Sequence, residues 1–211
     1  TGFIPESSIQ PVDELPRANE LNQQHAELGK SNLPKTVLLK LNGGLGTSMG
    51  LDKAKSLIRI KQQYNFLDII ARHAMHSQVH LLLMNSFSTR EDSIKVLQHY
   101  PALLNTNLAL DFVQHKVPKI NQHNLEPATS DHNRQLEWCP PGHGDIYIAL
   151  VSSGMLDALL EAGYRYALVS NADNLGAVLD TRLLGFMLEQ HIPFLMEVTD
   201  RTEADKKGGH L

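Results

Sequence analysis

The chain has 211 residues, with 19 Lys plus Arg against 23 Asp plus Glu, a formal net charge of −4. At roughly 150 residues per domain this is one domain or one and a fraction, long enough to bury about 70% of its unfolded surface without a disulfide or metal staple. A single Cys excludes a disulfide framework or a multi-thiolate zinc site, the acidic balance argues against a nucleic-acid surface, and no apolar run nears the roughly 18 residues of a membrane span.

Residues 1–12, with Gly2, Pro5 and Pro11, read as a loose leader. Residues 12–28 favour a helix with Pro16 in its first turn, closed by Gly29 and Pro34. The apolar run 36–41 is a buried strand, and it leads straight into a glycine-rich loop at 43–50. A helix follows over 65–76, with Phe66, Ile69, Ile70, His73 and Ala74 on one face. A second strand covers 79–84 and ends at Asn85. Ser88-Thr89-Arg90-Glu91 has capping-box spacing and opens a helix to about His99. Residues 108–113 are a third strand, and 115–144, rich in Pro, Asn, His and Gly, are a long loop of the kind that often carries function. Then come a helix over 145–160 broken at Gly154, a strand at 166–170, a helix at 181–190 and a strand at 194–198. The alternation predicts an α/β fold, a mostly parallel sheet with helices on both faces, organised as residues 1–34 (leader and helix) and 35–211 (the sheet). Ligands in such sheets bind beyond the carboxyl ends of strands, here after Leu41, Asn85, Val113 and Ser170. No secretory signal is visible, so a soluble, cytoplasmic setting is expected. The chain begins Thr1-Gly2 without Met and stops at Gly208-Gly209-His210-Leu211, which suggests a piece of something longer.

The loop reads Leu41-Asn42-Gly43-Gly44-Leu45-Gly46-Thr47-Ser48-Met49-Gly50. Without a Cβ, successive glycines let backbone N–H groups form a concavity for an anion, which suits a phosphate. Two common phosphate loops fail on register. Ala54, not Gly, precedes Lys55-Ser56, and Met49 stands where a dinucleotide fingerprint needs its third glycine. A plain flexible turn remains the competing reading, but the loop follows a buried strand and is itself followed by Lys53 and Lys55, so a nucleotide phosphate is favoured.

These residues resemble the nucleotide-binding loop of the UDP-glucose pyrophosphorylases. Further blocks follow in that family's order over roughly 36–209: Leu83-Met84-Asn85-Ser86-Phe87, Gln114 with Pro118-Lys119-Ile120, Trp138 with Pro140-Pro141-Gly142-His143-Gly144-Asp145, Ser170-Asn171-Ala172-Asp173-Asn174, Met196-Glu197-Val198-Thr199, and Ala204-Asp205 with Lys207-Gly208-Gly209. The resemblance implies a Rossmann-like nucleotidyltransferase sheet, truncated at its C-terminus. The implied reaction joins UTP and glucose 1-phosphate into UDP-glucose and pyrophosphate with Mg²⁺.

By resemblance, Lys55 contacts the nucleotide phosphates and offsets charge on the leaving group, and Asp173 is the metal-binding carboxylate; both are candidate catalytic residues. Leu41, Asn42, Gly43, Gly44 and Gly142 are expected at the nucleotide, with Gln114 reading uracil through its donor-and-acceptor amide. His143 and Asn171 are expected at the sugar phosphate, along with Gly43, Gly44 and Asp173. Ala54 in place of the usual Pro, and the spacer Leu51-Asp52-Lys53, depart from the family pattern. Taken alone, Asn171-Ala172-Asp173-Asn174 reads as an Asx turn at a strand exit. Three alternatives stay open: a nucleotide-binding piece without activity, a pyrophosphorylase for another UDP-sugar, and a Rossmann dehydrogenase, which Met49 disfavours.

Overall fold

The computed structural model describes residues 4–10, 14–45, 53–104, 106–200 and 202. The glycine loop beyond Leu45, the spacer residues Leu51 and Asp52, and the block around Lys207 lie outside the described residues. The chain divides into two compact units, Thr1–Asn32 with Asp180–Leu211, and Leu33–Leu179.

The second unit holds the sheet. Four parallel strands, β1 (Thr36–Asn42), β4 (His80–Asn85), β5 (Asp111–Val113) and β8 (Tyr166–Asn171), lie in the order β5-β4-β1-β8. The register sets Asn42 beside Asn85 and Leu41 beside Asn171. β1 and β4 are buried almost throughout, as a parallel sheet covered on both faces requires. One core packs Leu38, Leu81 and Leu83 against Leu67, Ile70, Ala71 and Ala74 of α2 (Phe66–Ser77), Leu97 of α3 (Arg90–Leu97) and Leu103 of α4 (Pro101–Leu104). The other packs Val37, Leu39, Leu82, Met84 and Phe112 against α5 (Ile146–Ser152) and α6 (Met155–Glu161). From β1 the chain moves one way to β4 and β5, and it later returns to place β8 on the other side. This reversal opens a crevice at the carboxyl ends of β1 and β8.

Several local expectations shift. The buried stripe of α2 is Leu67, Ile70, Ala71 and Ala74, with Phe66, Ile69 and His73 half-buried at its margin. Its start is fixed by Asn65, whose side chain accepts from Asp68 N–H while Asp68 accepts from Asn65 N–H. The box expected at Ser88 does not form: Thr89 precedes α3, and its Oγ1 instead accepts from Ser86 N–H at 2.9 Å, closing a turn. A hairpin unseen in the sequence, β2 (Arg59–Lys61) and β3 (Tyr64–Asn65), turns at Gln62 with φ 53°. The third strand shortens to β5. The region 115–144 holds one small antiparallel pair, β6 (Val117–Pro118) and β7 (Trp138–Cys139). Gly154, at φ 73°, separates α5 from α6 as expected.

In the first unit, α1 (Gln23–Asn32) packs on α7 (Thr181–Glu189). The helix expected over 12–28 starts later, because the backbone is extended at Arg17 and again at Leu21. Asn22 Oδ1 then accepts from His25 N–H at 3.1 Å and opens α1. Gly29 lies inside that helix rather than ending it. A Cβ there would stand 1.8 Å from the Thr181 carbonyl oxygen, and one at Gly185 1.8 Å from that of His25, so the two helices cross backbone to backbone. Residues 194–198 form no strand. Phe194 and Met196 are exposed, and among the described residues no strand supplies the ladder that would define one.

Candidate active site

A cleft opens at the reversal, lined by Leu41, Asn42, Gly44, Lys55, Ser56, His143, Asn171, Ala172 and Asp173. Its volume of about 80 Å³ suits a phosphate group rather than a whole nucleotide. Of the residues singled out from the sequence, Leu41, Asn42, Gly44, Lys55, His143, Asn171 and Asp173 meet on this one wall. Gly43, Gln114 and Gly142 stand outside the lining.

Lys55 reaches the cleft because an isolated bridge, Leu45 with Ala54, closes the base of the glycine loop, and Lys55 N–H donates to the Gly44 carbonyl at 3.1 Å. Lys55 opens a single 3-10 turn, Lys55–Leu57. Asp173 arrives from the other side, two residues past β8, where Ala172 N–H donates to the Leu41 carbonyl at 3.0 Å. Lys55 Nζ stands 3.9 Å from Asp173 Oδ2, both side chains about 40% exposed. At that exposure and separation the pair holds little intrinsic stability, and an incoming anion can compete for the ammonium.

Asn42 has a different role from a free ligand donor. Its Nδ2 donates to Asn85 Oδ1 at 2.7 Å and to Ser93 Oγ at 2.8 Å. Asn85 in turn donates to Asp111, whose carboxylate accepts from Arg90 Nε at 2.7 Å. That bond raises the Arg90 pKa. This polar network ties the ends of β1 and β4 and the start of β5 to α3, so Asn42 offers the cleft its backbone.

Gln114 follows β5 and donates its N–H to the Asn85 carbonyl at 2.8 Å. Its side chain is buried, and the amide nitrogen packs on Gly43, where any Cβ would stand 1.7 Å away. Among the described residues its Oε1 has no hydrogen-bond partner, leaving acceptor capacity at this strand end. The next residue is fixed by Asp145, which accepts from His115 N–H at 2.7 Å and lies 2.9 Å from His115 Nδ1. Asp145 also closes the turn that begins at Gly142, so one carboxylate joins the Gln114 strand end to the His143 turn. Gly142 sits at φ 116°, ψ −178°, a conformation essentially limited to glycine.

Two features escaped sequence reasoning. Ser56 Oγ is buried in the cleft wall with no hydrogen-bond partner among the described residues, and its sequence signal was its place beside Lys55 after the glycine loop. Ser152 Oγ lies 3.1 Å from His115 Nε2, which completes a Ser–His–Asp chain with Asp145. Ser152 ends α5, however, where a helix presents carbonyl oxygens, the wrong polarity for holding an oxyanion, so the chain acts as a brace.

Comparison with known proteins gives the family of the chain. A family model described as UTP–glucose-1-phosphate uridylyltransferase matches residues 3–211. The enzyme of that name from Saccharomyces cerevisiae is 41% identical over 206 residues, covering 94% of this chain and 40% of the yeast protein. The one from Solanum tuberosum is 40% identical over 211 residues, covering 96% and 43%. Among solved structures, a UDP-glucose phosphorylase from Trypanosoma brucei superposes with a TM-score of 0.86 at 47% identity, covering all of this chain and 46% of that one. A Leishmania major UDP-glucose pyrophosphorylase mutant in complex with UDP-glucose gives 0.84 at 47%, covering 100% and 45%. The chain thus spans less than half the length of these relatives. On this match it belongs to the UTP–glucose-1-phosphate uridylyltransferase family.

Proposed function

We propose that this chain forms the nucleotide-binding part of an enzyme that joins UTP and glucose 1-phosphate into UDP-glucose and pyrophosphate. The observation that carries the reading is the meeting of Lys55 and Asp173, 118 positions apart in sequence (173 − 55), across one phosphate-sized cleft. In this reading a phosphate oxygen of glucose 1-phosphate attacks the α-phosphorus of UTP. One O–P bond forms as the bond to the β-phosphate oxygen breaks, and pyrophosphate leaves in line. The backbone at Gly43 and Gly44 holds the nucleotide, while the Lys55 ammonium offsets the charge that grows on the departing phosphate. Gln114 offers an acceptor oxygen to the imide N–H of uracil. His143 and Asn171 face the sugar phosphate.

Asp173 is the residue that would hold Mg²⁺. The donor set fits: one accessible carboxylate, with no cluster of three acidic or His side chains among the described residues, suits a hard cation that takes its other oxygens from phosphates and water. When bound, the ion adds Lewis-acid neutralisation of phosphate charge. The test is pyrophosphate release by the full-length protein. Lys55→Ala is expected to lower turnover about a hundredfold, the scale of losing one electrostatic stabiliser; undiminished turnover overturns its role.

The short span relative to the family supports a second reading, that these 211 residues bind nucleotide without turning it over. Equal specific activity of the isolated chain and a full-length protein excludes it.

A further inference from the structure

Lys40 sits in the middle of β1, 1% exposed, among the largest fully buried side chains of the protein. Among the described residues no carboxylate pairs with it. Its Nζ donates to Ser170 Oγ at 2.7 Å and to the Ala177 carbonyl at 3.0 Å. Ser170 is its register partner on β8, near the end of that strand; Ala177 lies four residues beyond Asp173. A single buried ammonium therefore grips both sides of the segment that carries Asp173.

The segment's own hydrogen bonds set its shape, and its contacts with the sheet and core set its place. Asn174 N–H donates to the Asn171 carbonyl at 3.2 Å, and Asn174 Oδ1 accepts from Gly176 N–H and Ala177 N–H at 3.0 and 3.2 Å. Leu175 and Leu179 pack on the core that holds Leu38 of β1, and among the described residues the hydrogen bonds from the segment to β1 are Ala172 N–H on Leu41 and the two from Lys40. A buried, unpaired ammonium is costly, and burial pulls the Lys40 pKa from 10.5 down to about 8. The side chain is still protonated at neutral pH, so both bonds are charge-assisted. The titratable group facing it is His73 on α2, whose pKa is lowered first by burial and then by the Lys40 charge. A methionine would fill the same space at less cost, which points to a use for the charge.

We propose that Lys40 is a positioning residue that fixes the Asp173 segment against β1, and so sets the carboxylate relative to Lys55. The inference rests on the reading of Asp173 given above, and the following measurements separate the two.

Hydrogen exchange of the full-length protein reads the segment directly. Lys40→Met is expected to speed exchange at Gly176, Ala177 and Val178 by about tenfold, the scale of one charge-assisted hydrogen bond, with β4 unchanged. Calorimetric binding of UTP with Mg²⁺ should weaken by about the same factor. Ser170→Ala keeps the ammonium and one acceptor, and is expected to shift exchange the same way by less. Unaltered exchange at 176–178 in Lys40→Met, or an equal rise across β4, overturns the proposal. Asp173→Asn, measured alongside, isolates the underlying reading: if UTP binding there keeps its full Mg²⁺ dependence, the metal role of Asp173 falls and the exchange result for Lys40 still stands.

Discussion

At Gly43 the nearest atom to an added methyl group would be Gln114 Nε2, 1.7 Å away. Gly43→Ala must therefore push the Gln114 amide aside or lift the loop, while Gln114→Ala removes the amide and leaves the backbone alone. If the amide reads uracil, both changes lower the ratio of kcat/KM for UTP over CTP, by at least about tenfold for Gln114→Ala, the worth of one buried hydrogen bond. An unchanged ratio in Gln114→Ala removes the base-reading role. A second residue-scale effect concerns acid stability. Burial lowers the His80 pKa below 6.5, with a nearby Ala109 carbonyl opposing, and His73 is lowered as well. The unfolded chain thus binds more protons than the fold as pH falls below 6.5, so stability declines from there down to the folded-state pKa values and is insensitive to these groups above 6.5. The urea midpoint of the parent is expected to fall between about pH 7 and about pH 5. His80→Phe, whose ring keeps the contact with Tyr164, should fall less; parallel curves for parent and variant would refute the assignment.

Elements show where sequence patterns were readable and where they were not. The parallel strands were legible because a buried strand between helices is a short apolar run bounded by breakers, as at 36–41 and 79–84. The kink at Gly154 was legible as a glycine inside a helical pattern. The crossing of α1 and α7 was not: Gly29 reads locally as a helix terminator, and only a partner 152 residues away (181 − 29) explains it as a contact. The hairpin at Gln62 lacks the glycine or asparagine that announces a turn, and β6 with β7 is two residues deep on each side. For the site, Lys55 stood out as a cation after the glycine loop, and its role and that of Asp173 came from the family resemblance. Composition alone would have left Asp173 in an Asx turn and Lys40 as an oddity of an apolar strand. The crossing makes its own prediction. Gly29→Ala must separate two backbones now in contact, at a cost of about 1–3 kcal/mol by the scale of overpacked cores. Thermal melting of the parent and variant should show loss of stability. A variant as stable as the parent means the helices do not cross at Gly29.

For the whole molecule, what matters is where the sheet reverses. β1 contributes backbone and, through the segment after it, Lys55; the end of β8 and the turn beyond it contribute Asn171 and Asp173; the turn at the close of the long 115–144 region contributes His143. No single supersecondary unit holds the site, so binding should report on assembly of the whole Leu33–Leu179 unit. The net charge of −4 gives a triphosphate no general attraction, so in the proposed reading affinity comes from these local donors and from charge brought by a metal. Calorimetric titration of UTP into the 211-residue chain puts this to measurement. With Mg²⁺ present, saturable binding is expected, and withdrawing the ion with a chelator should weaken it by tenfold or more, about 1.4 kcal/mol. Asp173→Asn should abolish most of that difference, whereas Lys55→Ala should weaken binding with and without the ion alike, because an ammonium acts on phosphate directly. If the chelator makes no difference to the parent, Asp173 acts as a positioner or a hydrogen-bond acceptor, and neutralisation of the phosphates falls to Lys55 and the loop amides.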